Sequence, residues 1–137
     1  MSPEMEARLV KRFPRLYGLT DAPMTEALMC FGFECDDGWA EIIWALSMKI
    51  ERWNKEHPDI EPVQAMQVKE KHAGLRFYVS HEPDEIHEAI ALAEKLSYKV
   101  CEVTGEPGRL CRKGGWYKTL CAKKAKEMGY TPVSEAQ

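Results

Sequence analysis

The stretch that decides the fold is residues 101–128, CEVTGEPGRLCRKGGWYKTLCAKKAKEM. It holds two short elements that each contain one cysteine, C-E-V-T-G at 101–105 and L-C-A-K-K at 120–124. Between them, Lys113-Gly114 predicts a tight turn that pairs residues 108–112 with residues 115–119. We expect the last helix to begin near Thr119 and to stop at Gly129, because glycine often follows the last turn of a helix. The predicted order is a knuckle, a hairpin and a helix.

This order is that of a treble-clef zinc finger, which has a C-x2-C-G knuckle, a hairpin and a helix that begins with C-x2-C or C-x2-H. The knuckle keeps its first ligand, Cys101, and has Thr104 at the second ligand position. The helix start keeps its first ligand, Cys121, and has Lys124 at the second ligand position. Zinc needs four donors such as thiolate or imidazole, and neither a hydroxyl nor an ammonium group serves. We therefore expect a degenerate treble clef without zinc or another cofactor, in which both cysteines are vestigial. The alternative is a three-thiolate site with Cys111 as third ligand.

Without zinc, the finger must be held by apolar packing. A Thr104 hydroxyl is expected to help hold the knuckle. The predicted core of the finger is Val103, Leu110, Trp116, Leu120 and Ala125.

The preceding 100 residues predict an α-α-β-β-α body. Ser2-Pro3 is typical of a helix start, and residues 15–35 show no sustained period. Asp36 and Asp37 are expected to cap the main helix, whose apolar residues recur at helical spacing. Residues 63–71 and 74–80 predict two strands, and Pro83 starts a helix that continues to the knuckle. The main helix has one apolar stripe, Trp39, Ile42, Ile43, Leu46, Ile50 and Trp53, and the later helix has another, Ile86, Ala89, Ile90, Ala93, Leu96 and Val100.

The fold class is therefore α+β, as one domain over residues 1–137. Within it we expect a body at 1–100, the treble-clef module at 101–128 and a polar, frayed tail at 129–137. No apolar run approaches the roughly 20 residues of a membrane span, so we expect no membrane partner. Five cysteines form no evident disulfide framework, which indicates a reducing compartment.

The net charge of −3 is unevenly distributed. Residues 1–100 carry 12 basic and 18 acidic residues, whereas residues 101–137 carry 7 basic and 4 acidic ones. All seven bases lie within 107–126, which we call the basic hairpin, and this segment has no acid. Either it binds a polyanion or its charges form a solvated rim. The candidate binding residues are Arg109, Arg112, Lys113, Tyr117, Lys118, Lys123 and Lys124.

Two aromatic residues lie inside the basic hairpin, where bases could stack on rings and cations could hold phosphates. Trp116 and Tyr117 are adjacent and point to opposite faces of a strand. We expect Trp116 to pack under the hairpin and Tyr117 to be exposed.

Catalytic chemistry is weakly indicated. Cys30 and Cys35 are spaced C-x4-C, and we expect them to be buried structural cysteines. Asp36 and Asp37 are expected to cap a helix. An enzyme that uses a cysteine- or carboxylate-based site is the alternative to a protein that acts only by binding.

Four segments together carry a resemblance: MCFGFECDDGW (29–39), VKEKHAGLRFYV (68–79), CEVTGEPGRL (101–110) and GGWYKTLC (114–121). They resemble a family of small uncharacterised proteins encoded by bacteriophages and prophages. In that family the knuckle is C-x2-C-G and the helix starts T-L-C-x2-H. Cys101 and Cys121 match this pattern, and Thr104 and Lys124 depart from it.

The resemblance implies an accessory protein that acts in the cytoplasm of the bacterial host. We expect stoichiometric binding to a host macromolecule, protein or nucleic acid, with inhibition of host defence as one expected role. The alternative from the residues themselves is a nucleic-acid-binding protein that uses the basic hairpin 107–126. The sequence does not indicate an oligomeric state.

Overall fold

Residues 1–134 of this chain are described by a computed structural model. Helices and strands mix in one compact α+β domain, which confirms the predicted fold class. None of the helices in the described residues is both long enough and apolar enough to span a membrane. The elements are α1 (Pro3–Arg12), β1 (Phe33–Glu34), α2 (Ala40–Glu56), β2 (Ala65–Lys71), β3 (Gly74–Val79), α3 (Asp84–Ser97), β4 (Arg109–Lys113), β5 (Trp116–Leu120), α4 (Ala122–Met128) and β6 (Thr131–Pro132).

The body contains a three-stranded sheet of order β1-β2-β3. The predicted β2–β3 hairpin is confirmed, and its turn places His72 and Ala73 at positive φ. Strand β1, within the segment expected to be a loop, pairs parallel with β2 through Phe33 and Val68. This strand was not predicted because two residues are too few to show a period.

The apolar stripe of α2 forms the centre of the main core. Trp39, Ile43, Leu46, Ile50 and Trp53 are all buried, as the spacing predicts. The stripe of α3 is buried at Ile86, Ala89 and Ala93, but Leu96 is exposed, contrary to expectation. Helix α3 ends at Ser97, so the chain reaches Cys101 through a turn rather than as a continuous helix. The Ser97 hydroxyl accepts the Leu75 N–H of β3 at 2.9 Å.

The two predicted helix starts have different outcomes. The Ser2 hydroxyl caps α1 by accepting the Met5 N–H. Neither Asp36 nor Asp37 caps α2 through its side chain, because a short 3-10 turn at Asp37–Trp39 precedes the helix. The Asp37 carboxylate instead accepts the Ser2 N–H at 2.7 Å, and this bond holds its pKa below the usual value. Asp37 thus joins the first residues of the chain to the start of α2.

The second sheet has the order β5-β4-β6 and lies in the C-terminal part of the chain. Residues 109–113 pair with 116–120 across Gly114-Gly115, one residue later on each strand than predicted. Helix α4 begins at Ala122 rather than near Thr119, and Gly129 ends it with φ +77°, as expected. Thr131 and Pro132 pair with β4, so this part of the expected tail belongs to the sheet, while residues 135–137 of that tail lie outside the described residues.

The body and the second sheet meet at Gly38 and Glu102. The Gly38 N–H donates to the Glu102 carbonyl at 2.7 Å, and a Cβ at Gly38 would lie 2.2 Å from the Cys101 carbonyl oxygen. The Thr119 hydroxyl of β5 also donates to the Ala73 carbonyl in the β2–β3 turn at 2.8 Å. These bonds fix the orientation of the second sheet relative to the body.

The α2 stripe gives a direct stability test. Ile50→Ala should lower the free energy of unfolding by about 2–5 kcal/mol, because it deletes a fully buried side chain. Met48→Ala on the exposed side of the same helix should cost much less. Urea denaturation of both variants measures the difference, and equal losses would contradict the assigned face.

The close approach at Gly38 gives a second test. Gly38→Ala should destabilise the protein by about 1–3 kcal/mol, because the added methyl group meets backbone atoms that have no room to move. Gly115→Ala is the matched control, since a Cβ there meets no atom within 4 Å. Thermal melts of the two variants should separate clearly, and a Gly38→Ala melt equal to the control would show that the joint is loosely packed.

Candidate binding surface on the basic hairpin

A second, smaller core lies beneath the hairpin and α4. Its buried members are Cys101, Cys111, Leu120, Cys121 and Ala125, with Val103, Met128 and Tyr130 packed against them. Leu120 and Ala125 are buried and Val103 is partly buried, as predicted. Leu110 and Trp116 are exposed, so their assignment to this core is wrong. The three cysteines, Met128 at the end of α4 and Tyr130 after it fill the space instead.

Polar groups of the knuckle favour the ionised form of the Cys101 thiol. Burial opposes ionisation of its thiol, but the Thr104 hydroxyl and the backbone N–H groups of Cys121, Thr104 and Val103 act in the opposite direction and hold its pKa below the usual value. The Thr104 hydroxyl also lies 3.8 Å from the Cys121 sulfur and accepts the Glu106 N–H at 3.2 Å. Thr104 therefore bonds at the knuckle in the position where the treble-clef pattern has a ligand.

The residues at the knuckle do not fit a four-ligand zinc site. Thr104 bonds to sulfur and backbone, and Lys124 forms an ion pair with Glu127 at 2.9 Å. Cys111, the candidate third ligand, is buried in the same cluster, with its sulfur 3.4 Å from the Arg109 carbonyl. Across residues 1–134, no three His, Cys, Asp or Glu side chains are grouped so that they could hold a metal ion. The absence of zinc from the protein stays a prediction.

The other two cysteines lie in the body. Cys35 is buried, as expected, and burial raises the pKa of its thiol to about 12, which disfavours the thiolate that nucleophilic chemistry needs. Cys30 is exposed, contrary to expectation. The segment that carries it is a 3-10 turn at Met29–Phe31, where only Met29 is buried.

The tip of the basic hairpin exposes both aromatic residues. Trp116 is 75% exposed and Tyr117 is 39% exposed, so the expectation that Trp116 packs under the hairpin is wrong. The register explains this result. The predicted pairing sets Trp116 opposite Cys111 above the small core, whereas the observed pairing sets it opposite Lys113, two residues nearer the turn. The indole ring therefore lies beyond the core.

Each exposed aromatic residue has a cation directly across the hairpin. Trp116 pairs with Lys113 and Tyr117 pairs with Arg112, and the two pairs lie on opposite faces. The Arg112 side chain donates to the Gly114 carbonyl at 2.8 Å, which orients its guanidinium group at the turn. The Lys113 ammonium group donates to the Met128 carbonyl at 3.2 Å. The tip thus combines two aromatic rings with two positioned cations.

The predicted basic residues divide into two groups. Lys118 pairs with the buried carboxylate of Glu102 at 3.3 Å and Lys124 pairs with Glu127, so both have acidic partners. The remaining bases form no ion pair with any acid among residues 1–134, and they are Arg109, Arg112, Lys113, Lys123 and Lys126. Lys118 therefore holds the joint together rather than lying free on the surface.

The knuckle offers a test of the prediction that the protein binds no zinc. Thr104→Cys with Lys124→His should create a four-donor set with Cys101 and Cys121, because these side chains lie around the same sulfur atoms. We expect this variant to bind about one zinc per chain and to melt at a higher temperature, with chelator reversing the gain.

The unmodified protein is the control, and we expect its melting temperature to be insensitive to chelator. Elemental analysis measures the zinc content of both proteins. Stoichiometric zinc in the unmodified protein would contradict the prediction and would point to Cys111 as third ligand.

Comparisons with known proteins do not extend this description. No protein-family model matches the chain, and no curated protein and no solved structure is significantly similar to it. The resemblance to phage-encoded proteins therefore stays a prediction from the quoted segments.

Proposed function

We propose that this protein acts by stoichiometric binding rather than catalysis, and that the basic hairpin binds single-stranded nucleic acid. The observation that carries the proposal is the pair of exposed rings, Trp116 and Tyr117, each opposite a cation at the tip of one hairpin. Proteins that bind single strands without sequence preference stack the bases on such rings and contact the phosphates with neighbouring cations.

The distribution of charge supports the same ligand. Arg109 and Arg112 on β4 and Lys123 on α4 have no acidic partner in the described part of the chain, so they are available to phosphates. The body carries an excess of acids and would repel a polyanion that approached elsewhere. A nucleic acid would therefore be confined to the hairpin end of the molecule.

The two faces of the hairpin suit a flexible strand better than a duplex. Trp116 and Tyr117 point in opposite directions, so a chain that contacts both rings must pass around the tip. A single strand can bend in this way and offers unpaired bases for stacking, whereas the bases of a duplex are stacked on one another.

The wider role rests on the resemblance. We infer an accessory protein of a phage or mobile element that acts in the cytoplasm of the bacterial host, where binding of a host macromolecule could blunt a defence. Reduced cysteines are compatible with that compartment. A host protein is the alternative partner, and it would use the same exposed rings.

Fluorescence anisotropy with a labelled oligothymidylate tests the proposal. Trp116→Ala should weaken binding by about 1–3 kcal/mol, which is the range for loss of one stacked base. Arg109→Glu with Arg112→Glu should weaken it by at least about tenfold and make the dependence on salt shallower.

Lys11→Glu, on the exposed surface of α1, is the matched charge control and should change little. The hairpin changes should leave the melting temperature nearly unchanged, since both arginines are exposed. The proposal is wrong if the oligonucleotide does not bind at low salt, or binds the hairpin variants as well as the unmodified protein. Hairpin-dependent binding of a host protein in that case would favour the alternative partner.

A further inference from the structure

Helices α2 and α3 expose an apolar face away from the main core. The two helices run antiparallel. At one end, the Trp39 indole N–H before α2 donates to the Val100 carbonyl after α3. At the other end, Trp53 near the end of α2 contacts His81, which precedes α3. On α3, Leu92 is 54% exposed and Leu96 is 43% exposed. A shallow groove runs between the helices, and its lining includes Ala45 and Lys49 of α2 and Leu92 and Leu96 of α3.

The two helices contribute side chains of different size to this face. Helix α3 offers the protruding leucines, Leu92 and Leu96, whereas α2 exposes the small Ala45 at the middle of the groove and the charged Lys49 beside it. Large side chains pack best against small ones across an interface. The face is therefore complementary to another face in which the positions of α2 and α3 are exchanged.

Charges at the border of the face show the same complementarity. Lys49 and Arg52 lie in the second half of α2, which runs beside the start of α3, and the first turns of α3 carry Glu85 and Glu88. At the opposite end of the face the charges have the reverse arrangement: α2 carries an acid, and the end of α3 carries bases. These residues are Glu41, Lys95 and Lys99, all exposed. In the described part of the chain, none of these seven side chains forms an ion pair.

We propose that this face binds a second copy of the same chain, with α3 of each copy lying over α2 of the other. A two-fold axis parallel to the helices produces that arrangement. It places Leu92 of one copy over Ala45 of the other, and it brings Lys49 of one copy near Glu85 of the other. Side-chain size favours this pairing over α2 on α2 and α3 on α3, because the latter sets leucine against leucine, whereas opposite charges meet in both arrangements.

The size of the face sets the expected strength of the dimer. Helices of 17 and 14 residues are about 20–25 Å long, so the face is small beside the roughly 800 Å² per partner of a stable interface. We therefore expect a dimer that dissociates in the micromolar range. The proposal does not depend on the ligand of the basic hairpin.

Sedimentation velocity between about 1 and 100 μM tests the proposal, over the range expected for a small interface. The unmodified protein should shift from monomer to dimer as its concentration rises. Leu92→Glu should weaken dimerisation by at least about tenfold, because it places a charge at the centre of the face. Met24→Glu, at another exposed apolar residue outside the groove, is the control and should dimerise normally.

A charge exchange tests the arrangement of the copies. Lys49→Glu and Glu85→Lys should each weaken the dimer by about 2–5-fold, and the double variant should regain most of the loss. Melting temperatures close to that of the unmodified protein would show that all of these exposed changes leave the fold intact.

Three results would overturn the proposal. They are a protein that stays monomeric at every concentration, a Leu92→Glu variant that dimerises normally, and a double charge variant that dimerises no better than the single ones. The first would leave the face to a different partner.

Discussion

The structure depends on one buried carboxylate, that of Glu102, at the point where the body meets the second sheet. Its two oxygens accept the Asp36 N–H of the body at 3.1 Å and the Lys118 ammonium group of β5 at 3.3 Å. Its backbone carbonyl accepts the Gly38 N–H, and its own N–H donates to the Thr119 carbonyl. A single residue therefore bonds to the start of α2 and to the hairpin, and this explains why Gly38 must lack a side chain.

This joint is costly as well as specific. Burial raises the pKa of Glu102, and the nearby ammonium group of Lys118 only partly offsets the effect. The native state therefore binds the proton of this carboxyl group more tightly than the unfolded chain does. The contribution of the group to stability is present below the usual pKa of glutamate and is lost as the pH rises through the raised value. At neutral pH the pair fixes geometry more than it adds stability, as is common for buried ion pairs.

The sequence predicts the elements whose pattern is long and fails where a single residue decides. The stripe of α2 extends over 15 residues and identifies the buried face correctly at Trp39, Ile43 and Ile50. The hairpin is predicted, but adjacent glycines at 114 and 115 leave the turn uncertain by one residue. That shift changes the partner of Trp116 from Cys111 to Lys113 and moves the ring from the core to the tip. The role of Lys118 is not predictable either, because Glu102 is distant from it in sequence and meets it only in the fold.

The same joint connects the two proposed surfaces. Because Trp39 bonds to Val100 and Gly38 bonds to Glu102, the second sheet is fixed at the end of the body where α2 begins and α3 ends. A two-fold axis parallel to these helices keeps that end common to both copies, so a dimer carries its two basic hairpins at the same end. One strand of nucleic acid that reaches both hairpins would bind the second at a raised effective concentration. A single hairpin has few free cations and would hold a strand weakly. Dimerisation would raise the affinity for the strand without any new contact.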